Sequence, residues 1–257
     1  MSVDQLVDRA ARGEFGPLGT ASLAFTTRQG VRHRGRAGGY RNEVLSVRVG
    51  AAVGSCAVEP GSLDDDAVQG IAGRPVADLL ADDDPAVRVA ALDAHLMSVF
   101  PHQAHATPVV VPAGDSLAKS LHRAATVVEL LDPRPGQRVL VVGVVNSILH
   151  HLRARGVDYV PCDRKGGRTE WGEPIATDAA DHLDTCDAVL ATGMVLLDGL
   201  APLLAHPGPL VLFAQTGSAV LPHFIGRGAT AVSAEPYPFF WLDGGPSTLH
   251  QHRSAPA

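Results

Sequence analysis

Two aspartates and one glycine-bearing loop hold most of the chemistry open to this chain of 257 residues. Asp93 falls close to the apolar stripe that Val89, Leu92, Leu96 and Val99 form at helical spacing. A carboxylate held against apolar walls has its pKa pushed up by desolvation and can act as a base near neutrality. Asp198, just after Thr192 and Gly193 at a strand end, is the second candidate base. The plainer accounts are a buried acid satisfied by an arginine for Asp93, and a helix cap or exposed turn for Asp198. The loop at residues 143–147 joins an apolar run to a helical pattern. Gly143 lets the chain turn sharply, Asn146 or Ser147 can cap the helix, and free amides at a helix start favour an anion.

Around this loop stand further binding candidates. The loop is not G-x-G-x-x-G, so valine side chains occupy positions where a dinucleotide pyrophosphate needs bare backbone. Asp163 ends the next strand at about the distance a ribose-binding carboxylate would have, or else is a solvated loop acid beside Arg164 and Lys165. Gln215, Thr216, Gly217 and Ser218 follow a later strand and could complete an anion cradle with Thr192 and Gly193. Arg34, Arg36 and Arg41 sit in a glycine-rich stretch, where Arg41 could clamp an anionic substrate or simply belong to a solvated hairpin tip. His102 and His105 could bind a metal ion, given a third ligand from elsewhere. His150 and His151 cannot easily share one ion, because adjacent helical residues point roughly 100° apart. No local base accompanies Cys56 or Ser218, so nucleophilic catalysis has no support.

The elements that must position these residues follow from periodicity. Residues 139–142 have no polar alternation and read as a strand covered on both faces, as in a parallel sheet. The helix after it stops at Gly156. Before it, residues 1–18 suggest a short amphipathic helix, and residues 22–27, 43–49 and 54–58 an antiparallel meander. Residues 86–100 form the clearest helix, capped by Asp84 and Pro85 and ended by Pro101. The proline-bounded stretch 108–112 is placed as an extended connection between two domains, residues 1–112 and 113–257. A helix is expected at 117–131, with strands near 159–161, 188–191, 210–213 and 229–232. That rhythm implies right-handed crossovers and a mainly parallel sheet. Residues 237–241, aromatic-rich, read as a core patch or a pocket wall. The last four residues read as a loose tail.

Composition narrows the class. A net charge of −6 leaves no basic footprint for nucleic acid. No apolar run reaches membrane-spanning length, and the first residues lack a signal-peptide pattern, so a cytoplasmic protein is expected. Three cysteines without metal-type spacing read as reduced, packed thiols.

Several motifs in order, Val-Val-Gly at 141–143, Asp163 ending the next strand, Ala-Thr-Gly at 191–193 with Asp198-Gly199, and Gln215 to Ser218, resemble the Rossmann-like domain of the heavy-metal chelation family. In that family it follows a smaller domain similar to the N-terminal domain of enolases. Residues 49–54 look like that domain's glycine-bearing hairpin and residues 90–94 like its buried helix. The resemblance spans roughly residues 20 to 250. It implies an enolase-N-like α+β domain before a Rossmann-like α/β domain, with a ligand site in the cleft between them. Where the family carries asparagine, this chain has Asp93 and Asp198, each an added proton acceptor. The expectation is therefore a small-molecule enzyme that abstracts a proton and releases an anionic group by elimination or cyclisation. Its alternative is a non-catalytic metal- or metallophore-binding protein. No organic cofactor is expected, a metal ion is the one considered, and a homodimer or a small partner subunit is the assembly considered.

Overall fold

The computed structural model describes residues 1–32, 39–237 and 244–254, without the side chains of His102 and Gln103. Arg34, Arg36 and residues 238–241 of the aromatic stretch therefore lie outside the described residues, as does the tail beyond Ser254. The first element, α1 (Val3–Ala11), opens with a capping box: the Ser2 hydroxyl accepts from Gln5 N–H at 3.1 Å while the Gln5 side chain accepts from Ser2 N–H at 2.8 Å. The expected meander follows as β1 (Ala21–Val31), β2 (Tyr40–Val49) and β3 (Ala52–Val58), antiparallel and in sequential order. Two short helices, α2 (Asp65–Gln69) and α3 (Val76–Leu80), lead to α4 (Pro85–Val99), whose start is fixed by the Asp84 carboxylate accepting from Ala86 N–H at 2.7 Å. α4 crosses β3 so closely that a Cβ on Gly54 would lie 1.9 Å from Ala94 N. Only glycine allows that approach, and it brings Asp93 to the junction of the two halves.

The second half comprises β4 (Thr107–Val111), α5 (Ser116–Leu131), β5 (Arg138–Val142), α6 (Asn146–Ala154), β6 (Asp158–Cys162), β7 (Ala188–Thr192), α7 (Leu200–Leu204), β8 (Leu210–Ala214), β9 (Ala231–Ala234) and β10 (Ser247–Arg253). These strands make one seven-stranded sheet in the order β4-β10-β9-β8-β7-β5-β6. The five from β9 to β6 are parallel, and β10 runs antiparallel to both its neighbours. The mixed α/β fold with a mostly parallel sheet agrees with the sequence reading. The stretch read as a connection is extended, but it pairs with β10, so the sheet begins at Thr107. β10 itself escaped the sequence reading because its polar residues, His250 and His252 among them, conceal a strand that is nonetheless buried.

Both outer strands carry proline where another chain would pair. The bond from Ser254 N–H to Thr230 O (3.0 Å) sets the phase of β10, so that Pro108 and Val110 of β4 direct their backbone outward, and Pro108 has no N–H to offer. On β6 the outward carbonyl of Pro161 accepts from Ala176 N–H at 2.9 Å, and Asp163 N–H reaches Ala176 O at 2.8 Å. The sheet edges are thus blunted by the chain itself.

The cores show how the halves join. One face of the large sheet packs under α5 and α6, through Val139, Val141, Leu190 and Val211. The other face, with Val189, Leu212 and Val232, shares a continuous apolar core with α1, α3, α4 and the small sheet.

Candidate functional site

The strand order fixes where a ligand would enter. The chain goes from β5 to β6 on one side, then returns past β5 to β7 on the other, so the ends of β5 and β7 form a topological switch point. Gly143 leaves β5 with φ +80°, a conformation that favours glycine, and a Cβ there would fall 2.3 Å from Thr192 Oγ1. Gly143 and Thr192 are therefore in contact across the switch point. The helix start follows, with one correction: Val145, not Asn146 or Ser147, occupies the cap position and makes no side-chain cap bond. Asn146 and Ser147 are the first two helical residues, whose amides have no intrahelical acceptor. The Ser147 hydroxyl is turned to Ser120 on α5, at 2.9 Å. Two polar atoms here, Asn146 Oδ1 and Thr192 Oγ1, are buried without a hydrogen-bond partner among the described residues.

Loops from the flanking strands meet in front of β5. Arg164, after β6, is ion-paired with Asp198, after β7, and because those strands lie on either side of β5 the pair spans its carboxyl end. Both side chains are largely exposed. Lys165 ties the same loop to Glu59 beyond β3 at 2.8 Å. Other ties from the first half fall on loops further along: Ser55 O accepts from Gly217 N–H at 2.7 Å, and Gln29 Nε2 donates to the Tyr237 hydroxyl at 3.2 Å. None of these polar ties involves residues 143–147 or Thr192.

Asp93 is not in this crevice. It is 2% exposed, one oxygen accepting from Ser55 N–H at 2.8 Å and the other from Ala219 N–H at 2.7 Å. Burial pushes its carboxyl up to about 7, while the amides of Ser55, Ala219, Val220 and Gly217 pull the other way. The shift expected from the sequence is present, yet the cause of burial is the seam between the halves. Nor is its partner an arginine; backbone amides take that part. The two candidate bases thus lie apart in kind, Asp93 inside the seam and Asp198 exposed on the loop after β7.

The remaining candidates divide. Gly217 and Ser218 are buried in the seam with Asp93 rather than open as a cradle, and Gln215 is turned to Glu235 at 3.2 Å. Thr216 and Gly193 lie next to each other, since a Cβ on Gly193 would meet Thr216 O at 2.9 Å. Asp163 caps its own turn by accepting from Lys165 N–H at 3.0 Å, which fits the loop-acid reading. Arg41 is exposed on β2, opposite Gly30. Among the described residues no three His, Cys, Asp or Glu side chains are grouped to hold a metal ion; the side chain of His102 lies outside them, and His105 sits in the short 3-10 turn before β4. The three cysteines are free and buried, and burial pushes the Cys162 thiol up to about 11, which leaves it inert.

A polar cluster that the sequence reading did not single out lies beside α5. Arg123 makes a two-pronged pair with Glu235 at 2.5 and 2.8 Å, and Lys119, one turn earlier, is 1% exposed with its ammonium on the Gly245 carbonyl. The available signal was the four-residue spacing of two cations, Lys119 and Arg123, on one helix. It went unread because surface cations show the same spacing.

The sequence matches no protein-family model. No curated protein matches it either. Solved structures do share its fold. One is a protein of unknown function from the DUF364 family of Desulfitobacterium hafniense, 14% identical, with a TM-score of 0.64 over 98% of this chain and 98% of that one. Another, also a DUF364 protein of unknown function, comes from Pyrococcus horikoshii: 12% identical, TM-score 0.59, covering 98% of this chain and 100% of that one. At such identities the likeness is one of fold, and it extends over both halves of the chain.

Proposed function

We propose that the chain is a small-molecule enzyme, a divergent relative of the DUF364 proteins, that binds an anionic substrate at the carboxyl ends of β5 and β7 and releases an anionic group by elimination or cyclisation. The observation that carries this reading is the pair of buried atoms Asn146 Oδ1 and Thr192 Oγ1, without a partner among the described residues, beside the first-turn amides of α6. An oxyanion there accepts from the Asn146 and Ser147 amides and from the Thr192 hydroxyl, and a half-turn of the Asn146 amide adds an N–H donor. Arg164 is drawn to the anion, which frees Asp198 from its ion pair. Asp198 then takes the proton from substrate carbon, and the electron pair left behind expels the leaving group, whose negative charge the α6 amides hold. Asp93, with both oxygens occupied, holds the scaffold.

The cytoplasm is the proposed location. The test is thermal unfolding with inorganic phosphate or sulfate. Wild type gains stability, by about 2.7 kcal/mol when the anion reaches 100 times its Kd, and the Asn146→Ala/Thr192→Val variant gains less. Equal gains in both would remove the crevice from consideration.

A further inference from the structure

At the other end of the sheet, a hollow of 540 Å³ opens between α1 and the turn that enters β9, lined by Met1, Gln5, Asp8, Arg9, Arg12 and Arg227. Arg227 lies ahead of β9, at the amino ends of the parallel strands, and so far from Gly143. Three guanidinium groups meet only two carboxylates here. One of those, Glu14, is already shared: it accepts from Arg9 Nε at 2.7 Å and from Arg12 at 2.7 and 3.1 Å. Arg227 has no carboxylate in ion-pair range among the described residues. Its guanidinium donates instead to the Met1 thioether, and Arg9 Nη1 approaches the same sulfur at 3.6 Å.

This arrangement has an excess of donors. A thioether is a weak acceptor, and two like charges converge on it with no carboxylate of the described residues bridging them. The positive field is felt next door: burial, with the charges of Arg9 and Arg227 added, depresses His223 to about 4. The contrast with a hollow of 880 Å³ along the outer side of β6 is instructive. There Arg138 pairs with Asp158 at 3.2 Å and Arg153 with Glu173 at 2.5 Å, so each cation has its own carboxylate.

We infer that the hollow between α1 and Arg227 is a second binding site, for a small multivalent oxyanion that carries phosphoryl or several carboxylate groups. Guanidinium pairs grip such groups through two parallel hydrogen bonds, and three of them around one cavity suit an anion with oxygens on several sides. The site is built from residues that take no part in the β5–β7 crevice.

The experiment is titration calorimetry of the full chain with pyrophosphate and, separately, citrate, at low and at 0.3 M salt, the higher being about three times the ionic strength at which the Debye length is 10 Å. Expected is a saturable site for at least one probe that Arg227→Ala weakens tenfold or more, that Arg12→Ala and salt also weaken, and that keeps its affinity in Asn146→Ala/Thr192→Val, where any heat from the crevice is removed. Binding of pyrophosphate alone marks a phosphoryl ligand; binding of both marks a general oxyanion site. No saturable heat with either probe, undiminished binding to Arg227→Ala, or loss of binding in the crevice variant would overturn the inference. Since Arg227 and Arg12 are exposed, both variants keep the fold, and the crevice reading stands or falls on its own test.

Discussion

The seam around Asp93 and the crevice around Gly143 are built from the same parts and finished differently. Each brings backbone amides at the start of a turn or helix next to a loop that leaves a parallel strand. At the seam a carboxyl group from α4 takes the Ala219 amide and lies against those of Gly217 and Val220, so the chain supplies its own acceptor. At the crevice the first-turn amides of α6 have no intrahelical acceptor, and Asn146 Oδ1 and Thr192 Oγ1 are left without a partner from the described residues. Amides at such a position want negative charge in either case. Where the protein provides it, the result is cohesion between halves; where it does not, the result is a place for a ligand.

The sharpest way to break this comparison is to remove the internal carboxyl group. Asp93→Ala leaves the Ser55 and Ala219 amides buried without acceptors, and the expected loss is about 3 kcal/mol or more, read as the shift in denaturant midpoint. A cost below about 0.5 kcal/mol would show that the seam does not depend on that carboxylate. Next in size is Gly143→Ala, which forces a side chain into positive φ and against Thr192. About 1–2 kcal/mol of stability should go, with anion binding at the crevice lost as well.

A pH series sharpens the same contrast. The folded carboxyl of Asp93 lies near 7, above its unfolded value near 4, so the folded state binds the extra proton. Its contribution to stability is full below the unfolded value and is lost as pH rises through 7. The melting temperature of wild type should therefore fall between pH 5 and 8 more steeply than that of Asp93→Asn. Parallel curves would mean that the amide donors, not burial, dominate.

The smallest effects belong to the crevice. Thr192→Val removes a hydroxyl that has no partner among the described residues, so stability should stay within about 0.5 kcal/mol of wild type while phosphate raises the melting temperature less. Asp198→Asn breaks an exposed ion pair worth about 0–1 kcal/mol, yet should abolish turnover of a substrate once one is found. Retained turnover would leave Asp198 as a loop tie alone.

Much of this was legible in the chain because local patterns speak for themselves. Strands buried on both faces must be continuously apolar, so β5, β7 and β8 could be read directly. Asp84 and Pro85 announced α4, and Gly143 announced a sharp exit from β5. The nearness of Asp93 to an apolar stripe was visible too. β10 was not, since a strand covered by polar partners loses its alternation, and Arg123 with Glu235 was not, since their meeting spans more than a hundred residues.

What the sequence determined by itself is which residues carry charge, where the chain turns, and which segments must be buried. What only the tertiary structure decided is which amides meet which acids. A helical stripe says that Asp93 faces inward, but whether inward means a pocket or a seam depends on what packs opposite. Gly54 lets α4 descend onto β3, the loop after β8 closes over the carboxylate, and the strand order sends the chain from β5 and from β7 to opposite sides. Those are contacts between distant segments, and no local preference of the chain encodes them singly.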